Sequence, residues 1–100
     1  VYKRQIRIIV RGTRETLVEQ FAERVGESLQ EQLEQQRVEA RVLGPAAAPV
    51  AKLRGKFRFH LLLIGPAMDP LRAAVRAATT GMQPAEDVQW VVDVDPLDLL

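Results

Sequence analysis

KLRGKFRFHLLLIG, residues Lys52 to Gly65, is at once the most strand-like and the most basic segment of this 100-residue chain. Phe57, Phe59, Leu61 and Leu63 alternate with Lys56, Arg58, His60, Leu62 and Ile64. Successive side chains of a strand point to opposite faces, so one face is apolar throughout, while the other begins cationic and ends apolar. No carboxylate lies within the stretch. Lys52, Arg54, Lys56 and Arg58 must therefore find counter-charge elsewhere in the fold or on a partner.

The segments to either side build a fold around this central strand. Tyr2 to Arg11 alternates Tyr2, Arg4, Ile6, Ile8 and Val10 with Lys3, Gln5, Arg7, Ile9 and Arg11, read as a strand with one apolar and one basic face, and Gly12 and Thr13 end it. From about Arg14 to Gln35, Leu17, Val18, Phe21, Ala22, Val25, Leu29 and Leu33 recur at helical spacing. Thr13 or Thr16 is the expected cap, Thr16 in capping-box register with Glu19. Glu19, Glu23, Glu27 and Glu31 then form an acidic stripe, read as a solvated face with a dock for a basic partner or another domain as the alternative.

Arg37 to Leu43 is read as a second strand with Val38, Ala40 and Val42 inward. Pro45 and Pro49 cannot donate to a ladder, so GPAAAPVAKLRG is expected as an extended connection rather than a tight hairpin. Lys56 to Ile64 is the third strand. Asp69 is expected to cap, and Pro70 to open, a second helix buried through Leu71, Ala74, Val75 and Ala78 and ended by Gly81. Val88 to Val94 is the fourth strand, stopped by Asp95-Pro96, with a loose Asp98-Leu99-Leu100 tail.

The order βαββαβ, with right-handed crossovers, specifies an α+β ferredoxin-like domain. It has a four-stranded antiparallel sheet in the order 4-1-3-2 and both helices on one face. The bare face should show Lys3, Gln5, Arg7 and Ile9 beside Lys56, Arg58 and His60, with Asp93 on the edge as countercharge for Arg7.

Composition sets bounds on function. With 47% apolar residues, residues 1–100 suit one domain that folds alone. The chain has no cysteine, which removes disulfides and thiolate metal sites and favours a reducing cytoplasm. No apolar run reaches the roughly 20 residues that span a bilayer, so no membrane association is expected. The start, without Met and already in strand pattern, suggests a piece of a longer protein.

The net charge of +1 conceals sorting by element: residues 1–12 carry +4, 13–36 carry −4, 37–78 carry +6 and 79–100 carry −5. Such sorting bears on association rather than on fold.

No catalytic constellation emerges. There is no Asn, Ser28 is the single serine and lies mid-helix, and His60 is the single histidine. One imidazole makes no metal site, and Asp93, Asp95 and Asp98 read as countercharges. The loop Arg11-Gly12-Thr13-Arg14 is similar to the anion loop of acylphosphatases, but those enzymes also need an Asn on the sheet. Arg54-Gly55-Lys56-Phe57-Arg58-Phe59 begins like the strand-three signature of the RNA recognition motif. It is out of register by one, so cations stand where stacking aromatics would. What remains is a cationic surface able to hold phosphates without reading bases, or one whose cations only solvate the sheet or pair with acidic groups such as Asp93.

At Leu43 to Leu63, LGPAAAPVAKLRGKFRFHLLL, and at Val88 to Leu100, VQWVVDVDPLDLL, the chain resembles the carboxy-terminal domain of the primosomal protein N′ (PriA) family of bacterial replication-restart helicases. That family shows LGPxPAP, then LRGRYR with an apolar run, and a VDVDP-like strand. Ala47 stands where the family often has Pro, and Phe57 and Phe59 where Tyr or Trp is common.

The resemblance implies a fold similar to a small ribosomal subunit protein. It implies an accessory module without activity of its own, attached to an ATP-dependent 3′ to 5′ DNA helicase that reloads the replicative helicase at abandoned forks. ATP, magnesium and zinc are implied for that parent and no cofactor for this fragment. The implied partners are single-stranded and branched DNA, the acidic tail of the single-stranded DNA-binding protein, primosome proteins and the helicase core of the same chain, in a bacterial, nucleoid-associated setting. Lys52, Arg54, Lys56, Arg58 and Arg7 are then the candidates for phosphate contact, and Arg72 and Arg76 for an acidic protein tail. The alternative is a pure scaffold without DNA contact.

Overall fold

The computed structural model describes residues 3–94. Their order is β1 (Arg4–Gly12), α1 (Glu15–Gln35), β2 (Arg41–Leu53), β3 (Lys56–Gly65), α2 (Met68–Thr79) and β4 (Gln89–Val94). All four strands join one antiparallel sheet in the order β2-β3-β1-β4, the ferredoxin-like arrangement expected from the sequence.

Alternation on the two central strands turns Ile6, Ile8 and Val10 of β1 and Phe59, Leu61 and Leu63 of β3 to the helix side, where all six are buried. They meet Val18, Phe21, Ala22, Val25, Leu29 and Leu33 of α1 and Leu71, Ala74, Val75 and Ala78 of α2 in one cluster. Each large side chain taken fully out of water there contributes about 1.5–3 kcal/mol. The Ser28 hydroxyl donates to the Ala78 carbonyl at 2.7 Å, tying the two helices together. Glu19, Glu23, Glu27 and Glu31 are exposed, as a solvated stripe should be.

The second strand departs from expectation. It begins at Arg41 rather than Arg37 and runs through both prolines to Leu53, because β2 is an edge strand and a residue without N–H can turn that vacancy to solvent. Two irregularities absorb the misfit, between Leu43 and Ala46 and between Ala47 and Lys52, and the Gly44–Pro45 peptide is cis. Leu53 pairs with Lys56, so the connection is a tight two-residue turn and not an extended link. Arg54 at φ 53° and Gly55 at φ 79° supply the positive angles that such hairpin turns require.

The helix starts also differ. Neither Thr13 nor Thr16 caps α1: the N-cap is Arg14, without a side-chain bond. Thr13 instead donates its N–H (2.9 Å) and its hydroxyl to Oδ2 of Asp87. That reach across the fold competes with local capping. Gly12 permits it, since a Cβ there would lie 2.8 Å from the Asp87 carbonyl oxygen.

α2 is capped by Ala67, with Asp69 inside the first turn. There its charge favours the helix dipole rather than closing a cap, and the missing N–H of Pro70 still costs no intrahelical bond. β4 begins at Gln89, one residue later than expected. Its Asp95-Pro96 stop and the tail lie outside the described residues.

Two hydrogen bonds from Thr13, then the fields of Lys56 and Arg14, hold the Asp87 carboxyl below its ordinary value of 3.8. A folded-state pKa below the unfolded one stabilises the fold above pH 3.8, and this contribution is lost as pH falls through the lowered value. Asp87→Asn should therefore unfold at a lower temperature than the parent near neutral pH. In thermal melts the difference should close as both are acidified.

Candidate nucleic-acid interface

The helix-free face is built from the outward residues of the same strands. Antiparallel pairing sets Arg11 of β1 directly opposite Arg58 of β3, and Ile9 opposite His60. On the other side of β1, Gln89 faces Arg11 and Val91 faces Ile9. The hairpin turn carries Arg54 beside Lys56. The result is an open groove of about 440 Å³ with Ile9 and Val91 as its apolar floor and Arg11, Arg54, Lys56 and Arg58 around it.

Like charges directly opposite on neighbouring strands destabilise a sheet by a few tenths of a kcal/mol. Among the described residues, none of these four cations has a carboxylate within ion-pairing distance. The Arg11 Nε–H donates to the neutral Gln89 Oε1 at 3.3 Å, which orients the guanidinium without neutralising it. A concave patch of four such cations attracts anions.

The structure sorts the sequence candidates. Arg54, Lys56 and Arg58 converge. Lys52 does not join them: it pairs with Phe57, which shares the helix-side register, and its Nζ lies 5.1 Å from the centre of that ring. The irregularity after Ala47 changes which face the end of β2 presents.

Arg7 lies farther down β1, where its guanidinium donates to Asp93 Oδ2 at 3.0 Å, the countercharge expected for it. It borders a second, more apolar hollow with Gln5, Leu43, Ala46, His60 and Leu62. Arg72 and Arg76 are exposed on α2, in the helix layer on the opposite side of the sheet.

Arg11 is the member that sequence reasoning left out. Its alternation with Arg7 placed it on the basic face, and the pairing of the two central strands would have brought it to Arg58.

Burial first, and next the fields of Arg7 and Arg58, hold the His60 imidazole below the ordinary value of 6.5. The folded state therefore binds this proton less readily than the unfolded chain does. Stability is full above pH 6.5 and falls as pH drops from there through the lowered value. His60→Gln should flatten that part of a stability-against-pH curve measured by urea unfolding. Among the described residues, no three His, Cys, Asp or Glu side chains converge on a point where they could hold a metal ion.

The fold and the groove define a class: a ferredoxin-like module with one helical face and one open face whose end is cationic. Among solved structures the chain is similar to the de novo designed protein Foldit4. The TM-score is 0.60 at 13% identity, over 91% of this chain and 93% of that one, which supports the fold alone. A second designed protein, Ferredog-Diesel, aligns at TM-score 0.43 and 18% identity over 89% of this chain and 83% of its own, too loosely to bear on the fold. No curated protein matches the chain.

The sequence from residue 2 to residue 97 matches the model of the primosomal protein N C-terminal domain, and the chain belongs to that family. Membership implies a role in the primosome and in replication restart, and makes the chain a carboxy-terminal module of such a protein. No helix among the described residues is long and apolar enough to cross a membrane.

Proposed function

We propose that this module contacts DNA through the phosphate backbone, as the accessory domain of a longer ATP-dependent 3′ to 5′ DNA helicase acting at stalled forks. The observation that carries the reading is the opposition of Arg11 and Arg58, flanked by Arg54 and Lys56, with no described carboxylate within ion-pairing distance of any of them and only the field of Lys56 reaching Asp87. Phosphates arriving in the groove relieve that repulsion and release condensed counter-ions, the sequence-independent mode of binding. The floor of Ile9 and Val91 lacks an aromatic platform, so bases do not stack there. On this reading the helicase chemistry, with its ATP, magnesium and zinc, belongs to the rest of the parent chain, which works in the bacterial cytoplasm on the nucleoid.

Fluorescence anisotropy of labelled single-stranded and three-way-branched DNA over a salt series tests it. Four phosphate contacts at roughly −0.7 each on a single strand predict a log-log slope of about −3. Absence of binding even at low salt would move the function to protein docking.

A second reading concerns α2. Arg72 and Arg76 stand one turn apart, exposed and without a described ion pair, and suit the acidic tail of the single-stranded DNA-binding protein. Loss of binding to an acidic peptide in the double variant Arg72→Glu, Arg76→Glu, with DNA binding intact, is the expected signature. The helicase core of the same chain is the remaining partner for this scaffold role.

A further inference from the structure

The open face of the sheet continues past the cationic groove into the hollow of about 400 Å³ lined by Arg7, Leu43, Ala46, His60 and Leu62. Leu43 pairs with Leu62 and Ala46 with His60, so three steps along β2 stand against two along β3. This bulge brings Gly44 so close to β3 that a Cβ on it would lie 2.7 Å from the His60 carbonyl oxygen. Two nitrogens of the lining residues, Arg7 Nε and His60 Nε2, are buried and have no hydrogen-bond partner among the described residues. Arg7 bonds Asp93 through Nη2, which leaves its Nε–H over. A buried donor without an acceptor costs its full desolvation, so an acceptor oxygen placed between these two nitrogens is favoured.

We infer that this hollow is the next subsite on the path of a DNA single strand: a phosphate oxygen accepts from Arg7 Nε and His60 Nε2, and Leu43, Ala46 and Leu62 carry the apolar edge of the attached deoxyribose. The inference rests on the DNA reading above and extends it beyond the cations of the groove. Continuity selects the occupant. His60 follows Arg58 on the same face of β3, about 6–7 Å along the strand, which is the step of one nucleotide in an extended chain. Ile9 of the groove floor stands opposite His60, so that floor runs into the hollow. A small free anion has no use for the apolar wall, and a purely apolar ligand leaves both nitrogens unpaired. A nucleotide link supplies a charged oxygen and a carbon-rich sugar together.

The surroundings of His60 make the subsite sensitive to protons. On β1, Arg7 and Arg11 flank Ile9, its opposite number; on β3, Arg58 precedes it; β2 presents the uncharged Ala46 and Leu43; and on β4, Asp93 is held by Arg7. Burial and then the charges of Arg7 and Arg58 hold the ring below its ordinary value of 6.5. A phosphate beside Nε2 favours the protonated ring, so binding at mildly acid pH takes up a proton. Near neutral pH the subsite adds a hydrogen bond but releases no counter-ion, because Asp93 already neutralises Arg7. The slope of about −3 expected for the groove then stands, and protonated His60 adds roughly −0.7 to it.

Fluorescence anisotropy with oligothymidines of about four and about ten nucleotides, each over a salt series at about pH 8 and about pH 6, tests the subsite on the 100-residue chain. The short strand has too few phosphates to fill groove and hollow together, and the long one reaches both. Acidification should tighten binding of the long strand about 5-fold and steepen its slope by roughly 0.7. His60→Gln should erase both changes. Leu43→Glu, at a position 41% exposed and so compatible with the fold, sets a carboxylate against the arriving phosphate and should weaken the long strand about 5-fold more than the short one. A parent-like pH effect in His60→Gln, or equal losses for the two strands in Leu43→Glu, would overturn the subsite while leaving the groove, whose slope the short strand reports. Failure of both strands to bind the parent at low salt would overturn the subsite and the DNA reading together.

Discussion

The double variant Arg11→Glu, Arg58→Glu should lose about 100-fold in affinity for single-stranded DNA at low salt, and its salt slope should fall from about −3 toward zero. The two reversals remove half of the cations around the groove and set two anions against the remaining pair, Arg54 and Lys56. Stability separates this outcome from simple unfolding. Arg58→Glu alone replaces a like-charge pair across β1 and β3 by an opposite-charge pair, and should raise unfolding stability by a few tenths of a kcal/mol. The double variant restores a like-charge pair and should return to near the parent value. Weaker DNA binding in a more stable protein marks residues kept for association. Unchanged binding in both variants would remove the groove from the proposed function.

The largest effect on folding should come from Leu61→Ala, at about 3 kcal/mol lost within a usual range of about 2–5 kcal/mol. Leu61 is 1% exposed at the middle of a central strand, where neighbouring elements cannot collapse into the space it leaves. Gly26 of α1 lies above it, and a Cβ at position 26 would stand 3.1 Å from Leu61 Cδ2. The two sites are therefore coupled. Gly26→Ala in the parent sets a gain in helix propensity of about 1 kcal/mol against crowding of the leucine. In the Leu61→Ala background the crowding disappears and the same change should recover about 1 kcal/mol or more. Urea unfolding of the four proteins closes the cycle, and strict additivity would show that helix and strand do not meet there.

Alternation and helical spacing are local properties of the chain, and they sufficed for the elements that obey them over their whole length. Ile6, Ile8 and Val10, Leu61 and Leu63, and the stripes of both helices occupy the core that their periods assign them. The topology then follows from handedness and connection length. The Arg7–Asp93 pair was legible for the same reason, since strand order alone makes those two outward residues neighbours.

Where a residue's role depends on what lies beside it in space, local pattern was insufficient. Pro45 and Pro49 argue against a strand only if both its sides are paired, and edge position, a property of the assembled sheet, admits them to β2. The irregularity between Ala47 and Lys52 takes five steps along β2 against two along β3. This sends Lys52 to the aromatic side and out of the cationic row that a regular strand would have kept. Arg11 enters the groove only through the register that opposes it to Arg58. Thr13 abandons its helix for Asp87 because the chain returns there some seventy residues later. In each case the deciding energy is a contact between segments distant in sequence, which arises only once the sheet has closed.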